Sequence, residues 1–128
     1  MRLLLDTHAF IWLESEPDKL SSDASDAITD AKNTVLLSLV NVWEIQIKIG
    51  LGKMTLNGSL PDVVARQQEK NGLILLSVTA NHIYELANIG NHHRDPFDRL
   101  LIAQARYEGM ALVTADPQVQ AYTVTTLW

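Results

Sequence analysis

Short apolar runs separated by amphipathic segments are the main pattern of this chain. Uninterrupted apolar runs bounded by polar or turn residues are typical of strands buried on both faces of a parallel sheet. We predict strands over residues 3–5, 35–37, 73–76, 111–113 and 123–127. Between them, apolar residues recur three and four positions apart, which indicates helices with one buried face. The alternation predicts an α/β fold with a mostly parallel central sheet and helices on both faces.

The helices follow from this periodicity and from their start and stop residues. We predict a polar loop over residues 14–18 and helices over about residues 8–13, 22–31, 60–70, 79–90 and 96–108, with a short one after Asp116. Residues 40–49 are ambiguous, because 44–49 alternate polar and apolar as a strand does. However, Asn41, Glu44 and Lys48 would share one face of a helix, and Gly50 is a suitable helix end. We therefore predict a helix there.

Composition limits the class of protein. The 128 residues suit one domain, expected to span 1–128, and the absence of cysteine excludes disulfides and suits a reducing cytoplasm. Asp6 interrupts the apolar start too early for a signal peptide, and no apolar run approaches the roughly 20 residues of a membrane span. We expect a cytoplasmic protein with no membrane partner. The net charge of −5 disfavours nucleic-acid binding unless several acids share bound cations.

Four acids stand where a sheet-edge site would form. Asp6 and Asp116 follow apolar runs, so both should lie at the carboxyl edge of a parallel sheet. Asp98 begins a helix just before the strand that leads to Asp116, and Glu44 lies on the polar face of a mostly apolar helix. In one cleft their charges would repel, and two Mg²⁺ or Mn²⁺ ions would neutralise them. Each acid also has a structural alternative: the aspartates can cap helices, and Glu44 can pair with Lys48.

Other residues near these acids invite functional roles. Thr7 and Thr114 could orient the site carboxylates, although ordinary turn chemistry explains them as well. The pair Asp95-Pro96 indicates a helix N-cap, or a residue that orients the site carboxylates without binding the metal itself. Arg94 and Arg99 could contact substrate phosphates or pair with nearby acids. We assign His92 and His93 to solvated loop positions. We assign Trp12 and Trp43 to core or partner-facing positions.

Four segments together resemble the PIN-domain family, most closely the VapC-type toxins of bacterial toxin–antitoxin pairs. They are Leu-Leu-Leu-Asp-Thr-His (3–8), Val-Trp-Glu-Ile-Gln-Ile-Lys-Ile-Gly-Leu-Gly-Lys (42–53), His-His-Arg-Asp-Pro-Phe-Asp-Arg-Leu-Leu-Ile-Ala-Gln-Ala (92–105) and Leu-Val-Thr-Ala-Asp (112–116). The resemblance implies a PIN-like three-layer α/β/α fold and a Mg²⁺- or Mn²⁺-dependent endoribonuclease that hydrolyses RNA with metal-activated water. It implies the catalytic and metal-binding set Asp6, Glu44, Asp98 and Asp116, a homodimer, and a cognate antitoxin.

Two other classes remain open from the sequence. An acid-cluster phosphatase or receiver-like domain would use Asp6 as a nucleophile and form an aspartyl-phosphate. Against this class, Asp6-Thr7-His8 lacks a second acid two residues on. A catalytically silent interaction module would use the acids only as helix caps, and its stability would not respond to Mn²⁺.

Overall fold

Five short strands form the central sheet, and every neighbouring pair is parallel. The computed structural model describes residues 1–91 and 95–128. Within them the strands are β1 Arg2–Leu5, β2 Thr34–Ser38, β3 Ile74–Leu76, β4 Ala111–Val113 and β5 Thr126–Leu127. Their spatial order is β3-β2-β1-β4-β5, and Leu4 of β1 pairs with Leu36 on one side and Leu112 on the other. The predicted parallel sheet is confirmed.

Helices connect the strands. They are α1 Thr7–Ser15, α2 Ser22–Thr29, α3 Leu39–Gly50, α4 Leu60–Asn71, α5 Ala80–Glu85 and α6 Pro96–Glu108, with 3₁₀ turns at Pro17–Lys19, Leu86–Asn88 and Val119–Ala121. Local chemistry explains several ends. The Ser59 hydroxyl accepts from the Asp62 N–H at the start of α4, and Gly109 ends α6 at a φ of 66° that favours glycine. The helix predicted for residues 40–49 is confirmed.

Alternate residues of the strands point into two cores on opposite faces of the sheet. Leu3 and Leu5 pack with Phe10 and Ile45 on one face. Leu4 packs with Ile102 on the other face. Because helices cover both faces, the fold has three layers, α/β/α, as predicted. None of the described helices is long and apolar enough to span a bilayer.

The structure corrects three predicted boundaries. Residues 14–18 were predicted as a loop, but α1 continues through Ser15 and a 3₁₀ turn follows. The Glu14 carboxylate accepts from Arg66 at 2.6 Å and from Gln67 at 2.7 Å, so α4 holds the last turn of α1. The strand predicted over 123–127 is only Thr126–Leu127, which pairs with Leu112 and Val113 of β4. The helix predicted over 79–90 is the shorter α5 and a 3₁₀ turn.

Candidate functional site

The strand order creates a crevice at the carboxyl ends of β1 and β4. The chain leaves β1 to build β2 and β3 on one side, and returns to build β4 and β5 on the other. Ligands of open α/β sheets bind at such a switch point. A cavity of about 100 Å³ lies here, and five of its lining residues are acids: Asp6, Glu44, Asp95, Asp98 and Asp116. The structure therefore brings all four predicted site acids together.

Asp6 joins β1 to α1 and lies on the wall of this acidic pocket. Its Oδ1 accepts from the Ala9 N–H at 2.7 Å, so the carboxylate also caps α1. Burial raises the pKa of the Asp6 carboxyl above its usual value, and hydrogen bonds from Thr114 and Ala9 partly offset this rise. Asp6 therefore both caps α1, as its structural alternative predicted, and lines the pocket.

Glu44 on α3 is nearly buried and is held directly by two polar side chains, one of which is supported by a third. The Thr7 hydroxyl donates to its Oε1 at 2.6 Å, and Asn41 donates to the Thr7 hydroxyl at 2.9 Å. On its other oxygen, Oε2, Glu44 accepts from Lys48 Nζ at 2.9 Å. The expected pairing with Lys48 therefore occurs inside the pocket, since Lys48 also lines it. Thr7 contacts the carboxylate that it was expected to orient.

Asp95 and Asp98 stand at the start of α6. Asp95 Oδ1 accepts from the N–H groups of Phe97 and Asp98 at 2.9 and 3.3 Å, which makes it the N-cap of the helix. The pKa of Asp98 is raised from 3.8 to about 7, mainly by burial and then, in decreasing order, by the negative charges of Asp95, Glu44, Asp116 and Asp6. The acids are thus close enough for each to disfavour the ionised form of Asp98.

Asp116 follows β4 and completes the acidic pocket. Its N–H donates to the Thr114 hydroxyl at 3.0 Å, and its Oδ1 accepts from the Gln118 N–H at 2.9 Å. The second bond is turn chemistry of the kind that the cap alternative predicts. Thr114 also hydrogen-bonds the Asp6 side chain, so one buried hydroxyl links the ends of β1 and β4.

The remaining predicted positions lie elsewhere. Arg99 donates to the Gly90 carbonyl at 3.0 Å and does not line the acidic pocket, so its contact with phosphate stays a prediction. Trp43 is 61% exposed on α3 and its ring contacts Phe97, which agrees with a partner-facing position. Three predicted positions lie outside the described residues: His92, His93 and Arg94.

The sequence analysis placed Asn41 and Lys48 on one helix face with Glu44 but assigned neither of them to the site, and it gave His8 no role. Lys48 brings a cation into the pocket, and Asn41 donates a hydrogen bond to the Thr7 hydroxyl. Their spacing of three and four residues around Glu44 was visible as a polar helix face, and it could have identified them. His8 also lines the pocket. Its position depends on the rotation of α1 about its axis, which the sequence does not determine.

Most of the chain matches a known family. The family model of the PIN domain matches residues 3–124. The chain belongs to the PIN domain family. No curated protein matches this PIN domain in sequence.

Solved structures share the fold of this PIN domain at low sequence identity. A chain in the structure of VapBC2 from Rickettsia felis bound to a DNA fragment from their promoter superposes with a TM-score of 0.75 at 16% identity, over 98% of this chain and 97% of that one. A chain of FitAcB from Neisseria gonorrhoeae gives 0.60 at 22%, over 97% and 95%. A chain of VapBC-1 from nontypeable Haemophilus influenzae gives 0.61 at 15%, over 98% and 96%. These likenesses establish the fold.

The acidic pocket of the PIN domain fits a hard divalent cation by its chemistry. Carboxylate oxygens are the ligands that Mg²⁺ and Mn²⁺ prefer, and a dication would relieve the repulsion that, together with burial, raises the pKa of Asp98. Within residues 1–91 and 95–128, no three His, Asp or Glu side chains are already drawn together as a metal-binding group. Glu44 is engaged by Thr7 and Lys48. Each carboxylate oxygen has a second lone pair, so a metal could share Glu44 with these partners, although the positive charge of Lys48 would weaken its binding.

Proposed function

We propose that this PIN domain is the toxin of a VapC-type toxin–antitoxin pair and cleaves RNA as a Mg²⁺- or Mn²⁺-dependent endoribonuclease. The observation that carries the proposal is the convergence of four carboxylates, from four separate segments of the chain, on one pocket at the switch point of the sheet. The description of similar folds as parts of VapBC and FitAcB assemblies supports the toxin assignment.

The roles of the residues follow from their positions. Asp6, Asp98 and Asp116 would hold the metal, with Glu44 bound directly or through water. When bound, the metal supplies Lewis acidity, which polarises a phosphoryl oxygen and favours deprotonation of water. Thr7 keeps the Glu44 carboxylate in one orientation through its 2.6 Å hydrogen bond.

Thr114 and Lys48 act beside these carboxylates. Thr114 restrains Asp6 and the backbone of Asp116. Lys48 brings the positive charge that an approaching phosphodiester needs inside an otherwise acidic pocket. From the family resemblance, we expect products with 5′-phosphate and 3′-hydroxyl ends.

An antitoxin partner is part of the proposal. The acidic pocket would accept an arginine, whose guanidinium forms paired hydrogen bonds with carboxylates and replaces the charge of the metal. The exposed Trp43 lines an apolar groove of about 570 Å³ between α3 and α4, which supports a protein partner. Inhibition that survives replacement of every arginine in the antitoxin would contradict the insertion mechanism. We also expect a cytoplasmic homodimer, whose mass light scattering would measure.

The test of the proposed function is cleavage of RNA by the purified protein. Total RNA is incubated with wild type in Mn²⁺, with and without excess EDTA, and the cut ends are mapped. Asp6→Asn is the informative variant, because asparagine caps a helix as well as aspartate does and α1 should be preserved. Asp23→Asn, at an exposed position in α2, is its control.

We expect wild type and Asp23→Asn to cut RNA in Mn²⁺ and to stop in EDTA. Asp6→Asn should lose cleavage and keep its melting temperature within a few degrees. Cleavage that is unaffected by EDTA would contradict the metal role. Cleavage by Asp6→Asn at the wild-type rate would contradict the assignment of the pocket.

A further inference from the structure

A cluster of aromatic rings borders the acidic pocket on the α1 side. The ring of Trp12 lies 5.6 Å from that of His8 and 5.7 Å from that of Trp128, centroid to centroid. Lys19 Nζ lies 5.9 Å from the centre of the Trp12 ring. His8 is exposed and Trp12 is only half-buried, so part of this aromatic surface meets solvent.

A second cavity, the aromatic cleft, opens over these rings. Its volume is about 270 Å³, and its walls are Asp6, His8, Trp12, Ala115 and Asp116. Three of these residues, Asp6, His8 and Asp116, also line the acidic pocket. The two cavities therefore adjoin, and a nucleotide whose phosphate reached the acidic pocket would have its base or sugar beside the aromatic cleft.

The chemistry of the aromatic cleft suits a nucleobase. Single-stranded nucleic acids are bound by aromatic side chains on which bases stack, combined with cations that follow the backbone. Trp12 and His8 supply the rings, and Lys19 supplies a cation on the same side of the molecule. Ala115, which has a small side chain, also lines the cleft.

We propose that the aromatic cleft is a nucleobase subsite, in which the base next to the cleaved phosphodiester stacks on Trp12 and contacts the His8 ring. The proposal rests on the proposed RNA-cleaving function. It adds that RNA is recognised as a single strand with an unstacked base. Stacking is tolerant of base identity, so the subsite selects unpaired nucleotides and not a particular sequence.

The alternative is that Trp12 only packs against the core. Trp12 and Trp128 do contact the larger apolar core on their inner sides. A purely packing role predicts that replacing Trp12 changes stability, and that it changes affinity for all polyanions equally. A stacking role predicts that the replacement changes affinity only for polymers that carry bases. The two roles are therefore separated by a probe without bases.

The experiment compares two fluorescein-labelled probes of equal charge: a 12-nucleotide oligoadenylate RNA and a 12-unit ribose-phosphate chain without bases. Binding is measured by fluorescence anisotropy in Ca²⁺, with wild type, Trp12→Leu, Trp12→Phe and His8→Ala. Trp43→Leu is the matched control, because Trp43 is exposed on α3 and does not line the aromatic cleft. Melting curves check that each variant is folded.

Wild type should bind the RNA about tenfold more tightly than the chain without bases, the order expected for one stacked base. Trp12→Leu should reduce this ratio to near one, Trp12→Phe should keep most of it, and His8→Ala should lower it in part. Trp43→Leu should leave it unchanged. A wild-type ratio of one, an unchanged ratio in folded Trp12→Leu, or no binding of either probe would overturn the subsite.

The binding and cleavage experiments together distinguish failure of the nucleobase subsite from failure of the proposed RNA-cleaving function. If wild type prefers the RNA probe through Trp12 but cuts no RNA in Mn²⁺, the subsite stands and the nuclease assignment falls. If wild type cuts RNA and binds both probes equally, the nuclease assignment stands. The aromatic cleft would then be a packing feature or a protein-binding surface.

Discussion

Replacement of Asp98 by asparagine should stabilise the metal-free protein at alkaline pH. The ionised Asp98 carboxylate is partly buried beside other acids, and its pKa is raised from 3.8 to about 7. Asparagine has a similar shape and no charge. The substitution therefore removes the repulsion and keeps the start of α6 intact, since Asp95 caps that helix.

The sign and size of this effect follow from the pKa. Between pH 3.8 and about 7 the folded state holds the Asp98 proton more tightly than the unfolded state. The free energy of unfolding of wild type therefore falls as pH rises through this window, and the contribution is fully lost above it. The full difference corresponds to about 4 kcal/mol. Because Asp98 keeps part of its surface in water, we discount this to about 1–2 kcal/mol, or roughly 4–8 °C in melting temperature.

The assay is urea denaturation in EDTA at pH 5 and pH 8. Asp62→Asn is the matched control, because Asp62 is also the third residue of a helix with a proline in its first turn, but it is exposed. At pH 8, Asp98→Asn should exceed wild type by about 1–2 kcal/mol, with a smaller gain at pH 5. Asp62→Asn should instead lose about 0.3–1 kcal/mol, because its charge interacts favourably with the helix dipole. If Asp98→Asn is no more stable than wild type at pH 8, this reasoning is refuted.

Three further substitutions test the contacts around the site. Thr7→Val leaves the nearly buried Glu44 without its 2.6 Å donor and should cost about 1–3 kcal/mol in urea denaturation, with recovery in Thr7→Ser. Lys48→Met removes the cation 2.9 Å from Glu44 and should tighten Mn²⁺ binding about tenfold in calorimetry, since neighbouring charges interact by about 1–4 kcal/mol. Lys53→Met, in an exposed loop, should change nothing. Gln104→Leu breaks a buried hydrogen-bond network outside the acidic pocket and should cost about 1–3 kcal/mol while the response to Mn²⁺ is kept.

The sheet and most helices could be predicted because their signals are local. Strands buried on both faces read as apolar runs, and Leu3–Leu5 is such a run. The ambiguous residues 44–49 resolve as helix because one continuous polar face, from Asn41 to Lys48, meets Thr7 at the edge of the sheet. The three aspartates could be selected by their place after strands or at a helix start, and Glu44 by its place on the polar face of α3.

The rest of the structure depends on contacts between distant residues. Nothing near Glu14 in the sequence indicates that Arg66, in a later helix, extends α1 by holding its last turn. The Arg99 guanidinium donates to the Gly90 carbonyl, a contact that the sequence does not indicate. The aromatic cleft depends on the rotation of α1 and on the return of Trp128 to Trp12, and neither can be read from the spacing of residues.

The central claim is that the acids of the pocket together bind a divalent cation at one shared site. Calorimetric titration with Mn²⁺ tests this claim most directly. The proteins are wild type, the exposed control Asp62→Asn, and the four site variants Asp6→Asn, Glu44→Gln, Asp98→Asn and Asp116→Asn. Wild type and the control should bind Mn²⁺ and gain about 2.7 kcal/mol of stability at 100 times the dissociation constant. Each site variant should lose affinity at least about tenfold, because each removes a negative charge or an oxygen ligand from one shared site. Binding that is equally strong in wild type and all four site variants, or no binding to wild type, would contradict the claim.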